Sequence, residues 1–394
     1  MPLRAVVVGA GAWGAAAAAV LASRGAAVTL LDAATPGHAR GSSGGATRIW
    51  RLAHPDAVRV RLAQRSVEAW RRLEKETGTT LLVQTGILWR DDDGGVGPVA
   101  AALAGEGVAH TAVAQGDVGR FLPGLVADGR GAIFQPEAGA VLADAAIDAH
   151  MTRFAAAGGV LRANTRVTSV AMRPQGGVRV DVEGGAPPLE ADVAVVAPGA
   201  GAPALLPSLD ARLASLPFGP RVQQVAHFSP AAGVVGSDVA AWPAWFDGPT
   251  PAASSLYAMP SPNGLYKLGL DDPVRALPSD DDGDRTPCAA GVAALAARVA
   301  ASLPLLSPAA HTVQVCTWTD SPDGRFVVDA VGDGRVVVAA GCSGEGFKFS
   351  VVVGDVCADL AAGRTADDDV ASFGLARFEG REAGGAAPRH VLGR

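Results

Sequence analysis

Three glycines at G-x-G-x-x-G spacing, close to the N-terminus, constrain this chain more than any other feature. Ala5 to Val8 are an apolar run rich in β-branched residues, which suits a buried parallel strand. Gly9, Gly11 and Gly14 follow, and Ala15 to Ser23 contain no helix breaker and should be helical. Val28 to Leu31 make a second strand, closed by Asp32. This is a βαβ unit in which Gly9 makes the tight turn, Gly11 lets backbone approach a pyrophosphate, and Gly14 lets helix and strand pack closely. The helix N-terminus then holds phosphates, and Asp32 is placed to accept from a ribose hydroxyl. The competing reading is a glycine-rich turn in some other α/β protein. The ordered sequence of strand, glycines, helix, strand and acid favours a dinucleotide, without separating NAD from FAD.

A chain of 394 residues can hold two domains or one elaborate one. With 49% hydrophobic and 18% charged residues, it has ample apolar surface to bury and does not read as disordered. A formal charge of -6 gives no electrostatic reason to expect nucleic acid. Cys288, Cys316, Cys342 and Cys357 show no C-x-x-C pair and no metal-ligand spacing, and the seven histidines are dispersed, so no metal is expected. Scattered cysteines suit a reducing cytoplasm. Arg4 precedes an apolar stretch, yet the glycine punctuation argues against a cleaved signal peptide. No stretch of about 18 residues is continuously apolar, so no membrane span is expected.

Pro36 to Arg51 hold too many small residues for a regular element, and close contact with a cofactor would explain so long a loop. Arg48 and Arg51, at i and i+3, would share a helical face, either as a solvated basic edge or as an anion site. Ala57 to Thr77 read as helix, Leu81 to Arg90 as a strand pair, and Asp91 to Gly97 as a charged turn. Val99 to Leu122 read as helix, strand and short helix, and Ala132 to Leu142 as a turn-rich link. A helix over Asp144 to Ala157 precedes strands over Val160 to Val170, Val178 to Val182 and Asp192 to Gly199. Further strands are expected at Val222 to Phe228, around Trp245, and over Ser255 to Met259 and Gly264 to Leu270. Asp271 to Arg285 read as an acidic, solvated loop. A helix over Ala289 to Leu303, strands at Val313 to Trp318, Arg325 to Val328 and Val336 to Ala340, and a closing helix over Phe347 to Leu360 complete the chain. A loose tail is expected after about Phe378. No internal repeat is visible.

The stretch Gly-Ser-Ser-Gly-Gly-Ala-Thr-Arg-Ile-Trp-Arg, ending at Arg51, resembles the signature of the monomeric sarcosine oxidase and N-methyltryptophan oxidase family, within the D-amino-acid-oxidase-like FAD enzymes. The resemblance extends over roughly Val6 to Phe378. It includes Cys316 in Cys-x-aromatic-Thr, then Asp323-Gly-Arg-Phe326 with Asp329, then Gly-Cys-Ser-Gly-Glu-Gly-Phe-Lys-Phe. Alone, Cys316 reads as a buried strand cysteine. The family match implies a thioether from Cys316 to the 8α-methyl of FAD. It also implies that Arg51 and Lys348 hold a substrate carboxylate, that Arg48 lies near the flavin ring, and that Tyr257 and Trp318 line the substrate pocket. Lys267 would be an outward strand lysine on spacing alone; the match makes it the residue that promotes reaction with oxygen. Val167, otherwise an ordinary strand residue, is placed by the match against the adenine. Further cofactor contacts are implied at Ala12, Trp13, Ala33, Arg40, Ser42, Ser43, Thr47, Gly199, Gly341, Gly344, Gly346 and Phe347.

Three departures bear on the substrate. Asp271 stands where sarcosine-oxidising members have a histidine, with a one-residue difference in the spacing from Tyr257 to Lys267. Gly44 replaces a histidine of some members, and Trp318 replaces a tyrosine. The resulting expectation is an α/β protein with a Rossmann-like FAD domain (1–84, 145–215 and 325–394) and a discontinuous α+β substrate domain on a mixed or antiparallel sheet (85–144 and 216–324). It would be a cytoplasmic monomer that oxidises a C–N bond of a small amino acid bearing an N-methyl or secondary amine to an imine and reduces O2 to H2O2. A primary or cyclic amino acid is the alternative substrate. A flavin dehydrogenase, an NAD-dependent dehydrogenase and a non-catalytic nucleotide-binding module are the alternative classes.

Overall fold

The computed structural model describes residues 1–234, 238–278 and 283–380. A six-stranded sheet assembled from segments along the whole chain organises the first layer. In spatial order the strands are Val327–Val331, Val336–Ala340, Val193–Val196, Arg4–Val8, Ala27–Leu31 and Val160–Arg162. All neighbours are parallel except the first pair. Side chains alternate across the first strand. Ala5 and Val7 join a core on one face, and Val6 and Val8 join a second core on the other. Burial on both faces is why this strand reads as an unbroken apolar run.

The helix Ala12–Ser23 packs on the first face between Ser350–Ala361 and Ala143–Ala156. Its residues Ala15 to Ala19 are completely buried. Small side chains bring the helices close: a Cβ on Gly354 would lie 2.6 Å from that of Ala16. The alanine run is therefore a packing surface. On the opposite face lies an antiparallel three-stranded sheet, Val167–Met172, Val178–Val182 and Leu189–Ala191.

A nine-stranded sheet forms the second layer. The long strands Gly219–Pro230 and Leu306–Asp320 pair along its edge, and Leu265–Leu270, Leu256–Ser261, Ala244–Asp247, Ile87–Arg90 and Ala132–Gln135 continue it. Its pairs are antiparallel except Ala244–Asp247 with Ile87–Arg90, so the sheet is mixed. Asp247 is 1% exposed within it. Its carboxylate accepts from Arg90 at 2.7 and 3.0 Å, from Arg130 at 2.7 Å, and from Arg298. A small sheet of Thr47–Trp50, Gly139–Leu142 and Leu82–Gln84 bridges the layers.

The helix Ala57–Thr77 has the predicted ends because both carry caps. Asp56 accepts from the Arg59 amide at 2.9 Å, and Gly78 closes it at φ 68°. Elsewhere four expectations are corrected. Arg48 and Arg51 share no helical face: Arg48 lies in the strand Thr47–Trp50 and Arg51 follows it, because this end of the loop pairs with Gly139–Leu142. Residues 91–97 are not all turn. A helix starts at Asp93, capped by Asp92, whose carboxylate accepts from the Gly95 amide at 3.0 Å. The link 132–142 is two strands, each in a different sheet. Asp271 is not solvated but 5% exposed, its amide donating to the Ser255 carbonyl at 2.9 Å. Residues 279–282 of that acidic segment and 381–394 of the tail lie outside the described residues. No helix among the described residues is long and apolar enough to cross a membrane.

Candidate active site

The glycine turn leaves no room for a side chain at Gly9 or Gly14. Gly9 has φ +94°, and a Cβ there would fall 2.2 Å from the Ala197 carbonyl oxygen. A Cβ on Gly14 would fall 1.8 Å from the Gly9 carbonyl oxygen. The helix Ala12–Ser23 has no side-chain cap at Gly11, and its Ala12 amide donates to Ser43 Oγ at 2.9 Å. Asp32 closes the second strand. Its carboxylate accepts from the amides of Ala10 at 2.6 Å and Ala34 at 2.8 Å, with His38 Nε2 3.6 Å away. Burial pushes this carboxyl up, but His38 and the two amides outweigh it and hold it below the ordinary range.

A cavity of about 570 Å³ runs from this turn, between the two layers, to the nine-stranded sheet. Of the site residues predicted from sequence, all line it except Thr47 and Asp271. One end holds Gly9, Gly11, Ala12, Gly14, Asp32, Ala33, Arg40, Ser42, Ser43 and Val167. The other brings together Arg48, Arg51, Tyr257, Lys267, Cys316, Trp318 and Lys348, with Trp13, Gly199, Gly341, Gly344, Gly346 and Phe347 also on the walls.

Two basic side chains meet at one backbone oxygen. Lys267 Nζ donates to the Thr47 carbonyl at 2.6 Å, and Arg48 Nη1 donates to the same oxygen at 2.8 Å. Arg48 Nη2 also donates to the carbonyls of Ser42 at 2.6 Å and Gly44 at 2.7 Å, so its guanidinium ties the loop while facing the cavity. Thr47 is thus a bracket for the two basic side chains and not a wall residue. Lys267 is 2% exposed. Burial, then the charge of Arg48, holds its amine well below the ordinary lysine value. Cys316 sits on the long strand opposite Gln223. Burial, and next the Cys316 thiol, raises the Tyr257 hydroxyl.

A second cationic group lies beyond. Arg51 is 5% exposed, stacks 4.6 Å from the Trp89 ring, and donates to the Ala53 carbonyl. Burial pulls its guanidinium down to about 10. Lys348 Nζ donates to the Glu345 carbonyl at 2.9 Å, and burial, then Arg51, lowers its amine to about 7. Buried His54 lies against Phe349 and is held neutral by burial and by Arg51 and Lys348. Asp271 sits behind the wall, where its charge reaches Arg51 and Tyr257.

Sequence reasoning missed Glu345 and Gln223, both on the cavity wall. Glu345 accepts from Arg59 Nε at 2.9 Å and offsets some of the positive charge. Its place between Gly344 and Gly346 was a usable signal. Gln223 had none, being one polar residue in a strand.

The chemistry of this lining fits a dinucleotide. A Cβ-intolerant turn at a helix N-terminus suits a pyrophosphate, and a buried, ionised Asp32 suits a ribose. The cations and the thiol at the far end suit an electron-accepting ring and an acid substrate.

Comparison with known proteins agrees. Residues 4–360 match the model of the DAO family, FAD dependent oxidoreductases. The chain is 30% identical over 390 residues to monomeric sarcosine oxidase of Bacillus sp. (strain B-0618), covering 94% of this chain and 95% of that one. It is 28% identical over 393 residues to N-methyl-L-tryptophan oxidase of Shigella flexneri serotype 5b (strain 8401), covering 95% and 99%. Among solved structures it is similar to NikD, an unusual amino acid oxidase essential for nikkomycin biosynthesis, with TM-score 0.80, 26% identity, and 94% and 97% of the two chains covered. The chain belongs to the DAO family of FAD-dependent oxidoreductases.

Proposed function

We propose that the protein is an FAD-dependent oxidase of a small amino acid, acting on its C–N bond. The observation that carries this reading is the convergence of Arg48, Arg51, Lys267, Cys316 and Lys348, far apart in sequence, on one cavity. FAD, when bound, supplies the two-electron redox chemistry.

Arg51 and Lys348 bind the substrate carboxylate, which fixes the orientation of the reacting carbon. Arg48 presents fixed positive charge where negative charge accumulates during reduction. The substrate loses two electrons and two protons to become an imine, and dioxygen takes up both to become hydrogen peroxide. Lys267 serves the oxygen half. Its amine is held below the ordinary lysine value by burial and Arg48, so it gains most from a proton when an anion forms beside it. Cys316 is the site of the 8α thioether. Asp271, whose charge reaches the Arg51 region, tunes the pocket toward an amine-bearing substrate.

By segment, the described residues of 1–84, 145–215 and 325–394 build the cofactor side and those of 85–144 and 216–324 build the cover over the substrate, while Cys316 reaches from the cover to the cofactor and Arg51 and Lys348 reach from the cofactor side to the substrate. The enzyme is assigned as a cytoplasmic monomer. A primary or cyclic amino acid fits this pocket chemistry as well as an N-methyl one. An oxygen-electrode screen over N-methyl, cyclic and ordinary amino acids, with peroxide assayed in parallel, tests the reading. A yellow protein that consumes oxygen and yields peroxide with one class supports it. Bleaching by substrate without oxygen uptake points to a dehydrogenase, and a colourless protein removes flavin chemistry.

A further inference from the structure

The turn carrying Lys348 is held by two indoles from two different helices. Trp13, in Ala12–Ser23, donates from Nε1 to the Gly346 carbonyl at 2.9 Å. Trp70, in Ala57–Thr77, donates from Nε1 to the Lys348 carbonyl at 2.9 Å. Both rings also pack against the turn. A Cβ on Gly346 would lie 2.4 Å from the Trp13 ring, so only glycine lets that indole close. Trp70 stacks on Phe347 with centroids 6.3 Å apart and planes 8° from parallel. Behind Trp70 sits His150, 2% exposed and lacking hydrogen-bond partners on both ring nitrogens; burial lowers it to about 3, so it stays a neutral aromatic backing.

This turn needs an external hold. Residues 346–349 form one short 3-10 turn that must keep a buried ammonium pointed into the cavity beside Arg51. Burial and Arg51 both disfavour that ammonium, so an unrestrained turn would relax by letting Lys348 leave. Two hydrogen bonds to the carbonyls on either side of Phe347 oppose such a movement.

We infer that Trp13 and Trp70 are positioning residues that set the affinity of the site for a carboxylate by fixing the Gly346–Lys348 turn. The inference rests on the reading that Lys348 binds the substrate carboxylate. Trp70 is the cleaner handle, because it is 1% exposed and does not line the cavity, whereas Trp13 does.

The test is a double-mutant cycle on the flavin-loaded enzyme, with acetate as probe and its dissociation constant measured by calorimetry. Trp70→Phe keeps a ring and removes the N–H. It should weaken acetate by about three- to tenfold in the wild-type background and by less than about twofold in Lys348→Met, since coupled residues are non-additive. Equal weakening in both backgrounds, or none in either, overturns the clamp. Should Lys348→Met itself leave acetate affinity unchanged, the reading of the carboxylate site fails instead. If Trp70→Phe does not fold, Trp13→Phe enters the same cycle, with the same coupling to Lys348 required.

Discussion

Lys267 Nζ and the Thr47 carbonyl oxygen are 2.6 Å apart, and this bond joins the nine-stranded sheet to the strand Thr47–Trp50 of the small bridging sheet. It fixes the amine beside Arg48, where any negative charge forming in the cavity meets a guanidinium and an amine placed to take up a proton. Lys267→Met keeps much of the volume and removes the donor. Oxygen consumption should fall by roughly 100-fold or more, while bleaching by substrate under anaerobic conditions changes far less. Stopped-flow measurement of both halves checks this, and equal slowing of the two would remove Lys267 from the oxygen reaction.

Cys316 faces the cavity from the long strand Leu306–Asp320, with Gln223 as its register partner. A thioether there predicts that acid-precipitated wild-type protein keeps its yellow colour. Cys316→Ala should release the colour to the supernatant. Free flavin from the wild type would show that the thiol is only a wall residue.

Asp247 is a buried anion shared by Arg90, Arg130 and Arg298. Asp247→Asn keeps the shape and leaves three guanidiniums without their common charge. Breaking a buried network of this kind costs on the order of 3–5 kcal/mol. Urea unfolding should show that loss, and a change below about 1 kcal/mol would mean that solvent reaches the arginines.

What the sequence made legible was local. The first βαβ unit follows from strand, glycine and helix signals within a few dozen residues, and the helix Ala57–Thr77 from the apolar positions Val60, Leu62, Val67, Trp70 and Leu73 along its own length. The corrections arise where distant pairing decides. Arg48 is a strand residue because Gly139–Leu142 lies beside it, and Asp271 is buried where its amide meets the Ser255 carbonyl. The site was legible mainly through family resemblance, since Lys267 alone reads as an outward lysine. Gln223 and the bracket role of Thr47 needed coordinates, because one polar residue in a strand gives no signal and a backbone carbonyl's partner leaves no trace in residue type.

Lys348 sets function against stability. Its amine lies at about 7 in the folded protein, lowered chiefly by burial from the ordinary value near 10.5. Below about pH 7 both folded and unfolded chains carry the proton, so the full cost of burying the charge is present. As pH rises from there toward 10.5, the folded state has lost its proton while the unfolded state still binds one, and stability climbs. Lys348→Met should therefore raise the melting temperature at pH 6, and the gain should shrink steadily by pH 10. The same substitution should raise KM for an amino-acid substrate, and in the wild type KM should increase as pH passes through about 7, where the free ammonium is lost. Melting curves across pH and KM profiles for the two proteins check both statements. A variant less stable than the wild type at pH 6 would show that the buried ammonium is compensated in the fold and carries no such cost.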